Sequence, residues 1–492
     1  MHHVPKESCK KARNEVGGNY KVNYMEQKNP ISAVLIGAGA RGRGAYGAWA
    51  VRHPERLKVI AVAEPHDARR EAFAREHRID PENQFRSWEE LLARERMADA
   101  CLICTQDQMH TAPALQALQR GYDVLLEKPM ATVAKECREL VQVAEGAGRE
   151  LRICHVARYA QFFSRAKRAI LDGRIGDIIH INHAENVAFW HFAHGYVRGN
   201  WRKAEDSSPV ILAKTCHDFD LIYWMVEEPA RQVHSFGELT FFREENAPAG
   251  APARCTDGCP AASSCLFYAP RLYVTADTLL RITARAKNPL MRLIGNTAIN
   301  HPKIISSLSC FYRPLRRLVD WDMWPATVIT DTCTLEEKWD AMCEGPYGRC
   351  VFRCDNDVPD HQSVNIVFEN GVTATLTMQG HSFLDGRWMR IDGTRGTLMG
   401  EFTYAGERLV YYDHRTLAEH LLWEQGISFS AHGGGDEGLM DSFVERLQRK
   451  RSGQNDREPL TSARESLESH LMAFAAEQSR LESRVIPMGE MR

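Results

Sequence analysis

The chain has 492 residues, of which 44% are apolar and 26% are charged, and its formal net charge is −2. This length predicts two domains, and the balanced charge argues against a protein that binds nucleic acid or a membrane surface. No apolar run approaches the roughly 20 residues that span a bilayer, and the polar N-terminus lacks the apolar core of a signal peptide. We therefore expect a cytoplasmic protein with a flexible N-terminal tail at residues 1–30, which are polar and aperiodic.

The first motif with chemical meaning is a glycine-rich turn in ISAVLIGAGARGRG. An apolar strand at residues 33–36 precedes glycines with the spacing G-x-G-x-x-G, which allow a tight turn, close approach of a pyrophosphate and helix-on-strand packing. The following helix would point its N-terminus at the phosphates. The residues predicted to contact a dinucleotide here are Gly37, Gly39, Ala40, Arg41 and Gly42. The alternative is an ordinary turn in an α/β protein.

An acidic residue follows at the position that binds ribose in such folds. The strand LKVIAVAE ends in Glu64, 22 residues after Gly42. A carboxylate at this position accepts hydrogen bonds from both ribose hydroxyls and repels a 2′-phosphate, which favours NAD over NADP. Arg41 and Arg43 nearby leave NADP open as an alternative.

Strands and helices continue to alternate, which predicts a doubly wound parallel sheet in a Rossmann domain at residues 31–155. Ligands bind beyond the carboxyl ends of such strands. The residues predicted to reach the cofactor from these ends are Thr105, Gln106, His110, Glu127 and Lys128. Burial and the positive charge of an oxidised cofactor would lower the pKa of Lys128, which could then orient or deprotonate a substrate hydroxyl. The alternative is a surface lysine with a packed stem.

Taken together, GAGARG, Glu64, CTQDQMH and LLEKPMA resemble the Gfo/Idh/MocA family, named for glucose-fructose oxidoreductase and inositol dehydrogenase. The resemblance runs from Ile31 to about Gly237. It implies bound NAD, a catalytic or substrate-orienting Lys128, and a C-terminal α/β domain at residues 156–492. That second domain would carry an open, mainly antiparallel sheet that supports the substrate pocket and often forms a homo-oligomer. The resemblance also places Arg158 and Tyr159 near the cleft.

A second family signature is a histidine on a helix, which corresponds to His217 in ILAKTCHDFDLIYWMV. Its imidazole could take a proton from a carbinol while a hydride leaves for nicotinamide, and Asp218 follows it directly. Many family dehydrogenases carry an aspartate four residues earlier, where this chain has Ala213. Lys214, one turn from His217, could then supply the charge or the donor. A core histidine is the alternative reading.

The segment NVAFWHFAHGYVRGNWRK precedes this helix and is rich in aromatic and basic residues. Aromatic faces and guanidinium groups suit a pocket for a polyhydroxylated ring, although a well-packed hairpin would give the same pattern. The residues predicted to bind substrate here are Trp190, His191, Arg198, Trp201 and Arg202. Further along the chain, His361, His381 and His432 lie near predicted turns and could line the cleft.

A Cys-containing insertion is predicted at about residues 240–355. Cys255, Cys259 and Cys265 cluster in its first part, and Cys350 and Cys354 lie at its end. These thiolates could hold a structural zinc ion or an iron–sulfur cluster. Reduced or disulfide-linked cysteines are the alternative.

The sequence therefore predicts an NAD-dependent oxidoreductase that removes hydride from a ring hydroxyl carbon of a sugar, cyclitol or glycoside. The alternative is a glycoside hydrolase or lyase in which transient oxidation at C3 acidifies the neighbouring carbon and the cofactor is recycled in place. A non-catalytic sugar sensor is a third option, which the joint presence of Lys128 and His217 disfavours. The expected partner is a small carbohydrate, with no nucleic acid or membrane involved.

Overall fold

The computed structural model describes residues 29–286, 288–330, 333–426, 432–454 and 460–492. Nearly all of the predicted N-terminal tail, residues 1–28, lies outside the described residues. Among the helices described, none is both long enough and apolar enough to cross a bilayer.

The first domain is built on six parallel strands in the order β3-β2-β1-β4-β5-β6. The strands are almost entirely buried apolar residues because helices cover both faces of the sheet. This strand order is that of a Rossmann fold, so the predicted doubly wound sheet is confirmed. The strands are β1 Ile31–Ile36, β2 Leu57–Ala63, β3 Gln84–Phe85, β4 Ala100–Ile103, β5 Asp123–Leu126 and β6 Leu151–Ile153.

Helices pack on the two faces of this sheet and form two separate apolar cores. The helix that follows the glycine motif is wound as a π-helix over Gly42–Gly47 before it continues as an α-helix. The α-helices of this part of the chain are Ala48–Arg52, Asp67–His77, Trp88–Ala93, Thr111–Gln119 and Ala134–Gly146.

The second domain contains a nine-stranded sheet in the order β14-β13-β12-β11-β7-β10-β9-β8-β15. Only the pair β7 and β10 is parallel, which confirms the predicted open and mainly antiparallel sheet. Its strands are β7 Ile178–Ala188, β8 Ala230–Glu238, β9 His361–Phe368, β10 Thr373–Ser382, β11 Gly386–Gly393, β12 Gly396–Thr403, β13 Gly406–Asp413, β14 Glu419–Gln425 and β15 Ile486–Pro487. The helices Gln161–Leu171, Val210–Val226 and Ala463–Glu482 share the large apolar core of this sheet.

A helical insertion separates the neighbouring strands β8 and β9. It begins with an irregular segment that carries Cys255, Cys259 and Cys265, and it ends with Cys350 and Cys354. Its α-helices are Ala269–Tyr273, Asp277–Thr283, Pro289–Asn300, Pro302–Ser309, Arg313–Asp320, Ala326–Ile329 and Leu335–Glu344, and a further short helix, Phe189–Phe192, follows β7.

The helix Gly435–Arg451 returns to the first domain. Its buried side chains, including Leu439 and Phe443, join the core that contains Trp49. The predicted boundary at residue 155 assigned this helix to the second domain, whereas its buried side chains pack in a core of the first.

Candidate active site

The glycine turn has the shape that a dinucleotide requires. Gly37 has a φ of +90°, and a Cβ at Gly42 would lie 2.0 Å from the carbonyl oxygen of Gly37. Glycine is therefore required at position 37 by the backbone conformation of the turn and at position 42 by the close packing of helix on strand. A Cβ at Gly39 would meet no atom within 4 Å, so at this position the backbone is open to a close approach by a pyrophosphate.

Glu64 lies at the end of β2 beside this turn, with 5% of its surface exposed. Its carboxylate accepts a hydrogen bond from the amide of Ala38 at 2.8 Å and from the amide of His66 at 3.1 Å. The backbone thus holds the carboxylate at the rim of the glycine turn. Oxygen lone pairs remain for ribose hydroxyls, since a carboxylate can accept about four hydrogen bonds.

Arg41 and Glu127, both predicted to bind the cofactor, are bound to each other. Arg41 Nε lies 2.6 Å from Glu127 Oε1, and its Nη2 lies 2.6 Å from Asp436. Although burial alone would raise the pKa of Glu127, the Arg41 charge and the Tyr46 hydroxyl lower it. Arg43 is likewise paired, at 2.6 Å from Glu76. Both arginines near the predicted ribose site therefore have carboxylate partners.

The strand-end loops after β4 and β5 are tied together by a buried histidine. His110 Nδ1 lies 2.6 Å from the carbonyl oxygen of Pro129, and its Nε2 lies 3.2 Å from that of Thr105. Gln106 is exposed on the same loop. His110 therefore fixes the loop that follows Lys128.

Lys128 and His217 line one cavity of about 670 Å³ at the carboxyl edge of the first sheet. The cavity is lined by Lys128, Glu185, Lys214, His217, Asp385, Gly386, Arg387, Phe402, Thr403, Tyr404, Glu407, His432 and Gly433. All three residues predicted to be catalytic, Lys128, Lys214 and His217, are brought together here.

His217 is 5% exposed, and its Nδ1 has no hydrogen-bond partner among the described residues. Burial lowers the pKa of His217 well below its ordinary value, and the positive charge of Lys128 lowers it further. The imidazole is therefore neutral at physiological pH. A neutral imidazole in a cavity can accept a proton from a bound hydroxyl.

Cations and carboxylates alternate along one wall of the cavity. Lys214 Nζ lies 3.0 Å from Glu185, and Arg387 bridges Glu185 at 3.0 Å and Asp218 at 2.7 Å. Burial alone would lower the pKa of Lys214, but the Glu185 charge raises it above its ordinary value. Lys214 is therefore a fixed cation. Asp218 is fully buried and also contacts His183 at 2.7 Å.

The other residues predicted to bind substrate do not line this cavity. Arg158 is buried and forms a two-pronged ion pair with Asp220, with both contacts at 2.7 Å. The Tyr159 hydroxyl lies 3.1 Å from that of Thr461. Arg158 thus contacts the helix Val210–Val226, and Tyr159 contacts the turn that precedes the helix Ala463–Glu482.

The side chains of the aromatic and basic segment after β7 contact other side chains of the protein. The Trp190 ring lies 5.3 Å from that of Trp324, and His191 lies 2.8 Å from Asp385, which does line the cavity. The Trp201 indole donates to Asp107 at 3.1 Å, and Arg202 pairs with Asp355 at 3.0 Å.

Several cavity residues were not predicted. Glu185, Asp385, Arg387, Tyr404 and Glu407 come from strands of the second sheet or their turns. They lie in no local motif, and strand alternation alone does not say which face of a sheet meets another domain. His432, noted for its position near a predicted turn, does line the cavity.

The cysteines predicted to hold metal lie around a separate cavity. Among the residues that the structure describes, no three histidine, cysteine, aspartate or glutamate side chains are placed to share one metal ion. The predicted single-ion zinc site is therefore not seen.

A Rossmann sheet with an open glycine turn, a ribose-side carboxylate and a polar cavity at its carboxyl edge defines the class of NAD-binding oxidoreductases. Residues 31–155 match a family model described as "Oxidoreductase family, NAD-binding Rossmann fold", and residues 163–284 match one described as "GFO/IDH/MocA C-terminal domain". The chain belongs to the Gfo/Idh/MocA family of oxidoreductases.

Several curated relatives match at low identity. YteT of Bacillus subtilis, a protein named as an oxidoreductase, is 21% identical over 70% of this chain and 72% of its own length. The 2,7-anhydro-N-acetylneuraminate hydratase of Mediterraneibacter gnavus is 25% identical over 39% of this chain and 49% of its own length. The 1,5-anhydro-D-fructose reductase of Ensifer adhaerens is 32% identical over 37% of this chain and 54% of its own length. The last two matches thus span about half of those relatives.

The fold is shared with solved structures. An oxidoreductase from Agrobacterium radiobacter, solved in complex with NAD+, L-tartaric acid and magnesium, superposes with a TM-score of 0.59 at 14% identity. The superposition covers 94% of this chain and all of that one. This likeness extends over both domains.

Proposed function

We propose that this protein is an NAD-dependent oxidoreductase that takes hydride from a ring hydroxyl carbon of a sugar, cyclitol or glycoside. The observation that carries the proposal is the convergence of Lys128 and His217 on one cavity at the carboxyl edge of the NAD-binding sheet. A base and a cation placed together at this edge suit the oxidation of an alcohol.

Bound NAD supplies the hydride acceptor. The chain supplies the proton chemistry: the neutral His217 takes the hydroxyl proton as the carbon–hydrogen bond breaks, so that the alcohol becomes a carbonyl. Lys128 donates one N–H to the carbonyl oxygen of Ala213 at 2.9 Å, which fixes its ammonium group. Its remaining N–H groups are available to the substrate oxygen, where negative charge develops.

NAD rather than NADP is the proposed cofactor. Glu64 at the end of β2 would accept hydrogen bonds from the ribose hydroxyls and repel a 2′-phosphate. Arg41 and Arg43, which could have bound that phosphate, are each paired with a carboxylate.

A neutral, polyhydroxylated substrate suits the wall of the cavity. The cations Lys214 and Arg387 are offset by Glu185 and Asp218, so the wall offers both donors and acceptors without a large excess charge. Such a surface favours hydroxyl groups over a carboxylate or phosphate. The names of two relatives, a reductase and a hydratase of anhydro-sugars, agree with a carbohydrate substrate.

A second candidate function is glycoside cleavage in which the same oxidation is transient and the hydride is returned. Glu407 favours this candidate because it lines the cavity and burial raises its pKa, an effect that the hydrogen bond from the Trp423 indole at 2.6 Å opposes. In this reaction Glu407 would act as the acid that protonates the departing glycosidic oxygen. A hydratase among the relatives is compatible with elimination chemistry.

The two candidates are separated by following NADH and aglycone release together on free sugars and aryl glycosides. NADH in proportion to substrate supports the dehydrogenase, and aglycone release without net NADH supports the cleavage reaction. The variant His217→Asn should abolish either activity, whereas His234→Asn on β8, outside the cavity, is the matched control. Binding of NAD and sugar without any turnover would support a sensor and contradict both enzyme candidates.

A further inference from the structure

The helical insertion between β8 and β9 contains a stretch of sequence, residues 281–319, with a one-sided charge. This stretch has eight lysine and arginine residues and no aspartate or glutamate. The net charge of −2 over the whole chain, which argues against contact with a membrane surface, conceals this local excess. The proposed oxidoreductase activity assigns no role to it.

Two helices at the centre of this stretch, Pro289–Asn300 and Pro302–Ser309, each have one buried face. On the first helix, a Cβ at Gly295 would lie 2.4 Å from the amide nitrogen of Ala284, so this helix packs closely against the end of the helix before it. On the second helix the buried residues are Ile305 and Ser309, which are one turn apart. These positions define the inner faces of the two helices.

Large apolar side chains point outward from the same two helices and from the turn that follows them. The apolar side chains that are between 50% and 91% exposed are Leu290, Leu293, Ile304, Leu308 and Phe311. Their spacings of three and four residues within each helix place them on one face of it. A surface helix ordinarily turns polar residues toward water, so a row of exposed apolar side chains indicates a surface that binds a partner.

Basic side chains accompany these apolar ones. At the two ends of the stretch the cations are paired, since Arg281 lies 2.8 Å from Asp277 and Arg317 lies 2.7 Å from Asp322. Three exposed cations between them form no ion pair with any residue that the structure describes: Arg285, Arg292 and Lys303. Two of the three directly precede Leu293 and Ile304 in the sequence. The uncompensated positive charge therefore lies beside the exposed apolar side chains.

Charge complementarity and apolar surface together select one kind of partner. A second copy of this surface would bring like charges together in a symmetric contact, which is unfavourable. A nucleic acid would attract the cations but would leave the aliphatic side chains facing phosphate and water. The surface of an anionic bilayer accommodates both features, because its headgroups attract the cations while apolar side chains enter the boundary of the acyl chains.

We propose that the helices Pro289–Asn300 and Pro302–Ser309 dock the protein on the surface of a membrane that contains anionic phospholipid. Their outward leucine and isoleucine side chains, together with Phe311, enter the boundary of the acyl chains. The basic side chains reach the headgroups, where their charge is compensated. The contact is peripheral and reversible, and it does not depend on the proposed oxidoreductase activity.

The first test is cosedimentation of the whole protein with lipid vesicles. Vesicles of equal parts phosphatidylserine and phosphatidylcholine should bind the protein about tenfold or more tightly than vesicles of phosphatidylcholine alone, because each basic side chain near an anionic surface strengthens binding about fivefold. Added salt should weaken the binding. Binding to neither kind of vesicle, or equal binding to both, would overturn the proposal. Tighter binding to a DNA or RNA duplex than to the mixed vesicles would overturn it as well.

The second test compares Leu293→Asp with Leu171→Asp. Leu171 ends the helix Gln161–Leu171 and is 62% exposed, as Leu293 is, so it is a matched control. We expect Leu293→Asp to weaken binding to the mixed vesicles by about tenfold or more, and Leu171→Asp to leave it unchanged. Equal binding by the two variants would contradict the assignment of this face.

Sedimentation equilibrium of the same two variants tests for self-association. We expect Leu293→Asp and Leu171→Asp to have the oligomeric state of the unchanged protein, because the like charges of this surface oppose a contact between copies. An oligomer that Leu293→Asp alone dissociates would make this face an interface between copies of the chain and would overturn the proposal.

Discussion

The ammonium nitrogen of Lys128 lies 2.9 Å from the carbonyl oxygen of Ala213. Ala213 is the position at which many family dehydrogenases carry an aspartate, so here the backbone rather than a side chain anchors the lysine. In the proposed mechanism His217 is the base, and Lys128 stabilises the charge that develops on the substrate oxygen.

Replacing Lys128 tests this division of roles. Lys128→Ala should lower kcat by about 10²–10⁴-fold, the range for a lost proton-transfer or charge-stabilising group, with the Kd for NAD nearly unchanged. Lys128→Arg should recover part of the rate because it keeps the charge. Steady-state kinetics and NAD titration measure both quantities, and an unchanged kcat in Lys128→Ala would contradict the assignment.

The pH dependence of the rate should report the neutral His217. Burial and Lys128 lower the pKa of this imidazole, so the basic form persists below the ordinary pKa of about 6.5. We expect kcat/KM to be level from about pH 7 to 6 and to fall only at more acidic pH. A rate that already declines between pH 8 and 7 in step with one ionisation would argue against His217 as the base.

Stability should fall as the solution is acidified through the histidine range. Burial lowers the pKa of His194 and of His470 to about 3. The unfolded chain therefore binds more protons than the folded chain below about pH 6.5, and each such histidine removes up to about 1.4 kcal/mol of unfolding free energy per pH unit. Denaturant titrations at pH 7, 6 and 5 measure the slope. His470→Gln should reduce that slope, and a stability independent of pH in this range would contradict the prediction.

Two glycines of the cofactor turn form a matched pair. A Cβ at Gly39 or at Gly44 meets nothing within 4 Å, so neither alanine variant should unfold the protein. Gly39→Ala should nevertheless weaken NAD binding by tenfold or more, because the Cβ would lie where the pyrophosphate approaches. Gly44→Ala, inside the helix, should keep NAD affinity and gain about 0.5–1 kcal/mol of stability. Calorimetric titration separates the two, and equal affinities would place the pyrophosphate elsewhere.

Cofactor preference can be tested at Glu64. Glu64→Ala should raise the Kd for NAD by about 10–100-fold, the value of hydrogen bonds to a charged acceptor, and should affect NADP much less. Glu76→Ala is the control: it releases Arg43 from its ion pair and should leave NAD affinity unchanged. A wild-type preference for NADP would contradict the role given to Glu64.

The parts of the fold that sequence predicted are those encoded locally. The glycine spacing, the apolar strands and Glu64 lie within about 35 residues, and Lys128 and His217 each belong to a short motif. Arg387 and Glu185 meet across the strands β11 and β7 of a sheet whose register depends on the whole domain. Arg198 belongs to a segment whose aromatic and basic residues predicted sugar binding, yet it lines the cysteine cavity. Its position depends on tertiary packing rather than on the neighbouring residues in the sequence.

The helix Gly435–Arg451 has a consequence for how this protein can be divided. Because its apolar side chains complete a core of the first domain, a recombinant fragment ending at residue 155 would expose a hydrophobic groove on one face of its sheet and would tend to aggregate. A fragment that folds would need the helix Gly435–Arg451 joined to residues 31–155 through a linker.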